Sequence, residues 1–261
     1  MTETQGLAGV TVAVTRPVKQ AGPLCQLIEA QGGKAITFPS LEIFAVEQLE
    51  KTESIAKRLH LFDMAIFISV NAVEGAARLI GDTLPVRLKL AAVGNSSCKA
   101  VEQQWQQAVL CPSSGANSES LLAMAELQQI EGRHILIFRG QGGRELLAQT
   151  LSQRGATVEY AEVYRRGRPT GNLESLLKQS PTVDLITATS NESLQNLYDM
   201  ACNDEQHNWL LSRQLIVISE RAAQLAQQLG FRHPAIVSEQ SNDQGLTNAM
   251  QTWHKKQHNN H

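Results

Sequence analysis

The residues best equipped for chemistry lie between Arg133 and Arg168. An apolar run, His134-Ile135-Leu136-Ile137-Phe138, leads into Arg139-Gly140-Gln141-Gly142-Gly143-Arg144, and a helix signal and a second strand signal then end at Tyr164-Arg165-Arg166. Arginine makes bidentate pairs with carboxylates and phosphates, and glycine lets a backbone approach a ligand closely. A phenol is protonated at neutral pH, so Tyr164 can act as a hydrogen-bond donor or general acid. The plainer reading is an aromatic packed at a strand end. Arg16, Arg139, Arg144, Arg165 and Arg166 fall on or near strand ends and point to a polyanionic ligand, although Arg165 and Arg166 read equally well as solvated linker charges.

Other polar clusters occupy equivalent strand-to-helix junctions: Thr15-Arg16, Ser69-Val70-Asn71, Gly94-Asn95-Ser96-Ser97, Asn117-Ser118-Glu119, Thr189-Ser190-Asn191 and Ser219-Glu220-Arg221. Ligands of doubly wound sheets meet free backbone amides at such junctions. The candidate binding residues are therefore Arg16, Ser69, Asn71, Gly94, Ser96, Ser97 and Ser118, then Arg139, Gly140, Gly143 and Arg144, then Thr189, Ser190 and Ser219. Serine, threonine and asparagine are also ordinary helix caps, and a capped helix still offers amides to an anion.

Gly140-Gln141-Gly142-Gly143 opens like a dinucleotide fingerprint, but Glu145 occupies its sixth position, where bulk and charge oppose a pyrophosphate. A Walker loop, a Gly-x-Ser-x-Gly elbow, a kinase loop and a His-Glu-x-x-His helix are absent, and no histidine has a triad partner.

With 42% hydrophobic and 18% charged residues and a net charge of -2, the chain lacks the basic excess of a nucleic-acid binder. No apolar run reaches membrane-spanning length, and the N-terminus lacks a secretory pattern. The expectation is a cytoplasmic protein without membrane association. Cys25, Cys98, Cys111 and Cys202 are spread without metal-ligand spacing and read as small hydrophobes in a reducing compartment, so no metal site is expected.

Short β-branched runs at Val10 to Val14, Ala35 to Phe38, Met64 to Ile68, Leu88 to Val93, Val109 to Cys111, Val183 to Ala188, Gln214 to Ile218 and Ala235 to Val237 alternate with helical stripes. These include Glu47 to His60, Glu119 to Leu127 and Glu192 to Ala201; a last helix starts at Asp243, and Trp253 to His261 reads as a frayed tail. This alternation predicts parallel α/β sheets. Breaks fall at Phe38-Pro39-Ser40 and at Arg165 to Gly171.

Val12-Ala13-Val14-Thr15-Arg16 echoes Leu136-Ile137-Phe138-Arg139, and Ile68-Ser69-Val70-Asn71 echoes Thr189-Ser190-Asn191-Glu192, so the chain reads as two similar units. The breaks predict one domain from residues 1–39 plus 167–261 and an inserted one from 40–166, with linker strands near 38–43 and 161–168. A simple split near residue 130 is the alternative.

In order and spacing, the chain resembles the uroporphyrinogen-III synthase family from about Val10 to Met250. The match is carried by Val14-Thr15-Arg16-Pro17, Phe38-Pro39-Ser40-Leu41-Glu42, Phe67-Ile68-Ser69-Val70-Asn71-Ala72-Val73, Ala92-Val93-Gly94, Ser118-Glu119-Ser120-Leu121-Leu122, Leu136-Ile137-Phe138-Arg139-Gly140, Gly143-Arg144-Glu145-Leu146 and Val163-Tyr164.

The resemblance implies two flavodoxin-like parallel-sheet domains joined by a two-stranded linker, with an octacarboxylate substrate held in the cleft between them. It implies a lyase needing no cofactor, which cyclises hydroxymethylbilane to uroporphyrinogen III with loss of water and inversion of the fourth pyrrole ring. Tyr164 matches the tyrosine credited with helping the hydroxyl depart, which places it at the mouth of that cleft. The expected state is a monomer with at most transient contacts to neighbouring pathway enzymes. Two departures stand out: Ala222 replaces a threonine of the late Gly-x-x-Thr-Ala turn, and Ser97 replaces the earlier one. The competing expectations are a non-catalytic two-domain binder of a polyanion and a phosphate-handling Rossmann-type enzyme.

Overall fold

The computed structural model describes residues 6–46, 49–115, 117–179 and 182–258. The chain opens with β1 (Thr11–Val14), α1 (Val18–Ala30) and β2 (Lys34–Thr37). Next come β3 (Glu42–Phe44), α2 (Leu49–Lys57), β4 (Met64–Phe67), α3 (Val70–Ile80), β5 (Lys89–Ala92), α4 (Asn95–Trp105), β6 (Val109–Leu110), α5 (Ser118–Leu122), β7 (His134–Gly140), α6 (Leu146–Gln153) and β8 (Thr157–Gly167). The chain ends with α7 (Glu174–Leu177), β9 (Leu185–Ala188), α8 (Asn191–Asp199), α9 (Asp204–Leu211), β10 (Gln214–Val217), α10 (Glu220–Gln228), β11 (Ile236–Val237) and α11 (Asp243–His258).

Two compact units result, Met1–Glu42 with Gly167–His261, and Ile43–Arg166. The first holds a sheet in the order β11-β10-β9-β1-β2, its paired strands parallel. The second is built on β3-β8-β7-β4-β5-β6, with β7 parallel to both β8 and β4. Both sheets are covered on two faces, which is why β1, β4 and β9 are buried at every position and apolar but for Thr11 and Thr187.

The period-two alternation of a strand decides which core each side chain joins. On β7, Leu136 and Phe138 enter the cluster with Phe67, Trp105 and Tyr164, and the Phe67 and Phe138 rings stack 5.0 Å apart. Ile135 and Ile137 enter the opposite cluster with Leu147 and Leu151 of α6. Each such side chain contributes about 1.5–3 kcal/mol by leaving water. Gly75 lets α3 lie directly on β8, since a Cβ there would stand 2.7 Å from a Val163 methyl.

Several local expectations differ from the fold. The Trp253 to His258 stretch is helix, and Trp253 packs on the cluster around Leu24 and Met250, so the expected frayed tail is overturned up to His258; residues 259–261 lie outside the described residues. The helix expected from Glu119 to Leu127 is α5 followed by a 3-10 turn at Ala125–Leu127. There the Gln128 amide donates to the Leu122 and Met124 carbonyls and occupies the acceptors a continuing helix would use. The Glu47 start of α2 also lies outside the described residues.

Helix α9 was not anticipated, because its apolar residues Trp209, Leu210 and Leu211 are crowded into its last turn and make no spaced stripe, although all three pack in the core. Strand β8 runs through Arg165 and Arg166 to Gly167, over most of the span expected as a linker strand near 161–168, and ends inside the break read at Arg165 to Gly171. Cys98 and Cys111 are joined in a disulfide rather than lying as separate hydrophobes. Their Cα atoms stand 6.2 Å apart because the chain returns along β6 beside α4, a proximity their sequence separation does not disclose. No helix among the described residues is long and apolar enough to cross a membrane.

Candidate active site

The carboxyl ends of β8, β7 and β4 lie side by side, and Tyr164 reaches across all three. Its backbone is on β8, opposite Gly140 on β7. The ring lies over Gly140 so closely that a Cβ there would sit 2.6 Å from Cε2 and 2.7 Å from Cζ, which only glycine permits. The phenolic oxygen ends 3.1 Å from Oγ of Ser69, in the turn after β4. Ser69 in turn caps α3: its backbone is extended, and its Oγ accepts the Ala72 N–H at 3.1 Å.

Tyr164 is therefore not at the lip of a strand. It is 2% exposed and belongs to the apolar cluster of its unit. The expectation of an open phenol at a cleft mouth fails because the strand register sends the ring inward over a glycine rather than out past the strand end.

Arg139 precedes Gly140 and points to the other face of the sheet. It is 3% exposed and already occupied. Its guanidinium donates to Glu145 Oε1 at 2.9 Å and to the Gly140 carbonyl at 3.2 Å, and its Cζ sits 4.4 Å over the Tyr160 ring. The Tyr160 hydroxyl donates to the second Glu145 oxygen at 2.6 Å. Burial, followed by the bond to Glu145, pushes the Tyr160 phenol up to about 12, and that same bond followed by the Arg139 guanidinium holds the Glu145 carboxyl below the usual range.

As arranged, Arg139 is held by Glu145 and the Gly140 carbonyl through two of its three nitrogens, so an expected role as a substrate clamp would fall to the third. Gly143, with φ 125°, keeps the loop clear of the arginine, since a Cβ there would stand 2.9 Å from a guanidinium nitrogen.

The remaining candidates divide by exposure. In the second unit, Gly94 starts α4 without a side-chain cap, Ser96 is exposed and Ser97 is buried. Asn71 is half-buried in the first turn of α3. Ser118 is half-buried in the first turn of the five-residue α5, whose cap is Asn117. Arg144 lies 3.9 Å from Glu119 and is largely in solvent.

In the first unit, Arg16 is paired with Asp243 at the start of α11, and the Thr15 hydroxyl donates to the Thr187 carbonyl at 2.6 Å. Ser190 caps α8 in a capping box and Ser219 caps α10, while Thr189 is half-buried just before the cap. Ala222 is fully buried in the core of this unit, so its side chain faces packing and not the loops. The expected cluster thus separates into caps with free amides, one open arginine, and two arginines paired within their own units.

The sequence profile of the family described as uroporphyrinogen-III synthase HemD matches residues 23–248. The chain belongs to the uroporphyrinogen-III synthase family. The uroporphyrinogen-III synthases of Salmonella typhimurium (strain LT2) and Escherichia coli (strain K12) are each 32% identical to it over 247 residues, covering 93% of this chain and 100% of theirs. Among solved structures, the uroporphyrinogen-III synthetase of Helicobacter pylori 26695 superposes with a TM-score of 0.61 at 13% identity, covering 94% of this chain and 99% of that one. A mutant uroporphyrinogen III synthase of the extremely thermophilic bacterium Thermus thermophilus gives 0.55 at 18%, covering 96% and 100%. At those identities the two structures speak for the fold alone, an α/β architecture of parallel sheets.

Glu145 and Tyr160, the partners of Arg139, carry no signal in the sequence that marks them as such. Nor does the sequence mark Val70 and Leu146, apolar side chains left 37% and 38% exposed at the starts of α3 and α6. Tyr160 and Tyr164 share β8, yet Tyr160 packs with the α6-side cluster and Tyr164 with the α3-side one, the pairing of β7 with β8 shifting register at Arg139/Gly140 between them.

Proposed function

We propose that the protein is a lyase that cyclises hydroxymethylbilane to uroporphyrinogen III, with loss of water and inversion of the fourth pyrrole ring. The observation that carries this reading is family membership along nearly the whole chain. Nothing favours the alternative of a non-catalytic binding protein. Tyr164 is the proposed acid for the hydroxyl's departure, supported by its single-file contact with Ser69 at the carboxyl ends of the strands. Arg144 and the amides at the N-termini of α3, α4, α8 and α10, beside Asn71, Gly94, Ser96, Thr189, Ser190 and Ser219, are proposed to hold substrate carboxylates, because helix N-termini favour anions. Val70 and Leu146 offer apolar surface suited to pyrrole rings.

Holding the bilane in a near-attack conformation is expected to supply more of the rate than any single acid. We extend the proposal to two flavodoxin-like domains. The order β2-β1-β9-β10-β11 in the first unit supports this, since it follows the flavodoxin pattern 2-1-3-4-5. The adjacency of β3 and β8, at whose ends the chain changes unit, supports a two-stranded linker. The test of function is to supply enzymatically generated hydroxymethylbilane and separate the uroporphyrin isomers after oxidation. Isomer III in excess is expected; isomer I alone, as in the spontaneous reaction, overturns the proposal.

A further inference from the structure

The two hydroxyls at the end of β4 are stacked in depth. Tyr164 is sealed in its core, while Ser69, whose Oγ lies 3.1 Å from the phenolic oxygen, is half-buried. A serine hydroxyl has one proton and two lone pairs. Ser69 gives one lone pair to the Ala72 N–H that it caps. Either hydroxyl can donate in the 3.1 Å contact; when the phenol donates, the other lone pair of Ser69 accepts and its own proton is left for a ligand. An alkyl hydroxyl by itself is a poor acid, and a buried phenol by itself does not reach a solvent-borne substrate; in series they supply both acidity and reach.

We infer that Ser69 hands the proton to the departing hydroxyl and that Tyr164 is the acid behind it. The inference rests on the synthase reading. In the step, the C–O bond of the terminal carbinol breaks and its electron pair leaves on oxygen, which takes the Ser69 proton and departs as water. Ser69 takes the Tyr164 proton at the same time. The phenolate regains a proton, by the same route reversed, from the pyrrole carbon that loses one on ring closure.

The test compares turnover and KM for the wild type, Ser69→Gly, Ser69→Thr, Tyr164→Phe and the double variant Ser69→Gly/Tyr164→Phe. Glycine is nearly as good a helix cap as serine, so Ser69→Gly removes the hydroxyl while sparing α3. Ser69→Asn, which retains a cap acceptor but has no hydroxyl, is the second variant should glycine unfold the protein.

The relay predicts a fall in kcat of about 10² for Ser69→Gly, Ser69→Asn and Tyr164→Phe alike, with KM little moved. The double variant falls no further than the singles, because groups acting as one unit are non-additive. Ser69→Thr restores most of the activity. Turnover of Ser69→Gly within twofold of wild type overturns the relay, as does a double variant whose losses multiply. A wild type that yields only isomer I overturns the function and the relay together, so the two failures are told apart by the wild type.

Discussion

Arg139 and Gly140 are neighbours on β7, yet the two faces they serve are built to opposite ends. On the α6 face, Arg139, Glu145 and Tyr160 satisfy one another: cation, carboxylate and phenol are each paired, and the aromatic ring covers the guanidinium. On the α3 face, Tyr164 and Ser69 are two neutral hydroxyls with hydrogen-bonding capacity to spare. A cluster of charges paired among themselves holds a loop in place and has less left to offer a ligand. The hydroxyl pair is less stabilising and better suited to passing a proton. Charge alone is thus a poor guide to where the chemistry lies.

The largest effect that would break this comparison comes from Gly140→Ala. The new Cβ would require the Tyr164 ring to move from a contact of 2.6 Å, and overpacking of this kind costs roughly 2 kcal/mol, or about 5 °C in Tm for a chain of this size. Turnover should fall by about 10² or more as the phenol leaves Ser69. Thermal unfolding and the isomer assay, run together, check both. A stable, fully active Gly140→Ala protein would mean that the packing of Tyr164 has no bearing on activity.

Next in size is Arg139→Ala, expected to cost about 1–2 kcal/mol of stability through lost packing of its buried stem and a Glu145 left with Tyr160 as its one remaining partner in the cluster, while leaving the salt dependence of KM unchanged. Arg144→Ala should do the reverse. It leaves stability within about 0.5 kcal/mol and raises KM severalfold at low salt, with the difference shrinking at high salt as screening grows. Urea unfolding beside steady-state kinetics at two ionic strengths separates the two arginines.

The sequence shows the strand-helix alternation because buried parallel strands need unbroken apolar runs, and Val12 to Val14 and Ala65 to Phe67 provide them. It shows the caps at Ser69, Ser190 and Ser219 because a hydroxyl residue between an apolar run and a helical stripe has few other uses. It does not show that Arg139 is spent on Glu145. Cations can be counted along a chain, but their neutralisers are set by loop geometry. Nor does it show the depth of Tyr164, which depends on the register that brings Gly140 opposite it across two strands. The Cys98–Cys111 pairing and α9 are hidden for local reasons: one is a matter of chain return, the other a helix whose apolar residues sit together in its last turn instead of forming a stripe.

The smallest expected effect sharpens the charge-paired side of the comparison. Tyr160 has its phenol pushed up to about 12, mainly by burial and then by Glu145. A group whose folded value lies above its unfolded one, about 10 for tyrosine, contributes stability that is fully present below the unfolded value and is lost as pH rises through the folded one. Glu145 is shifted the other way, by the Tyr160 hydrogen bond and then Arg139, so its contribution is present above the unfolded carboxylate range and fades as pH falls through its depressed folded value. The cluster should therefore weaken at both extremes, through Tyr160 between about pH 10 and 12 and through Glu145 in acid. Ultraviolet titration of phenolate absorbance should find a tyrosine ionising near pH 12 that disappears in Tyr160→Phe. Urea midpoints of wild type and Tyr160→Phe should converge as pH rises across that alkaline window. A Tyr160 that ionises near 10 would mean that neither its burial nor Glu145 holds the phenolic proton in place, and the two faces of β7 would then differ less than their geometry indicates.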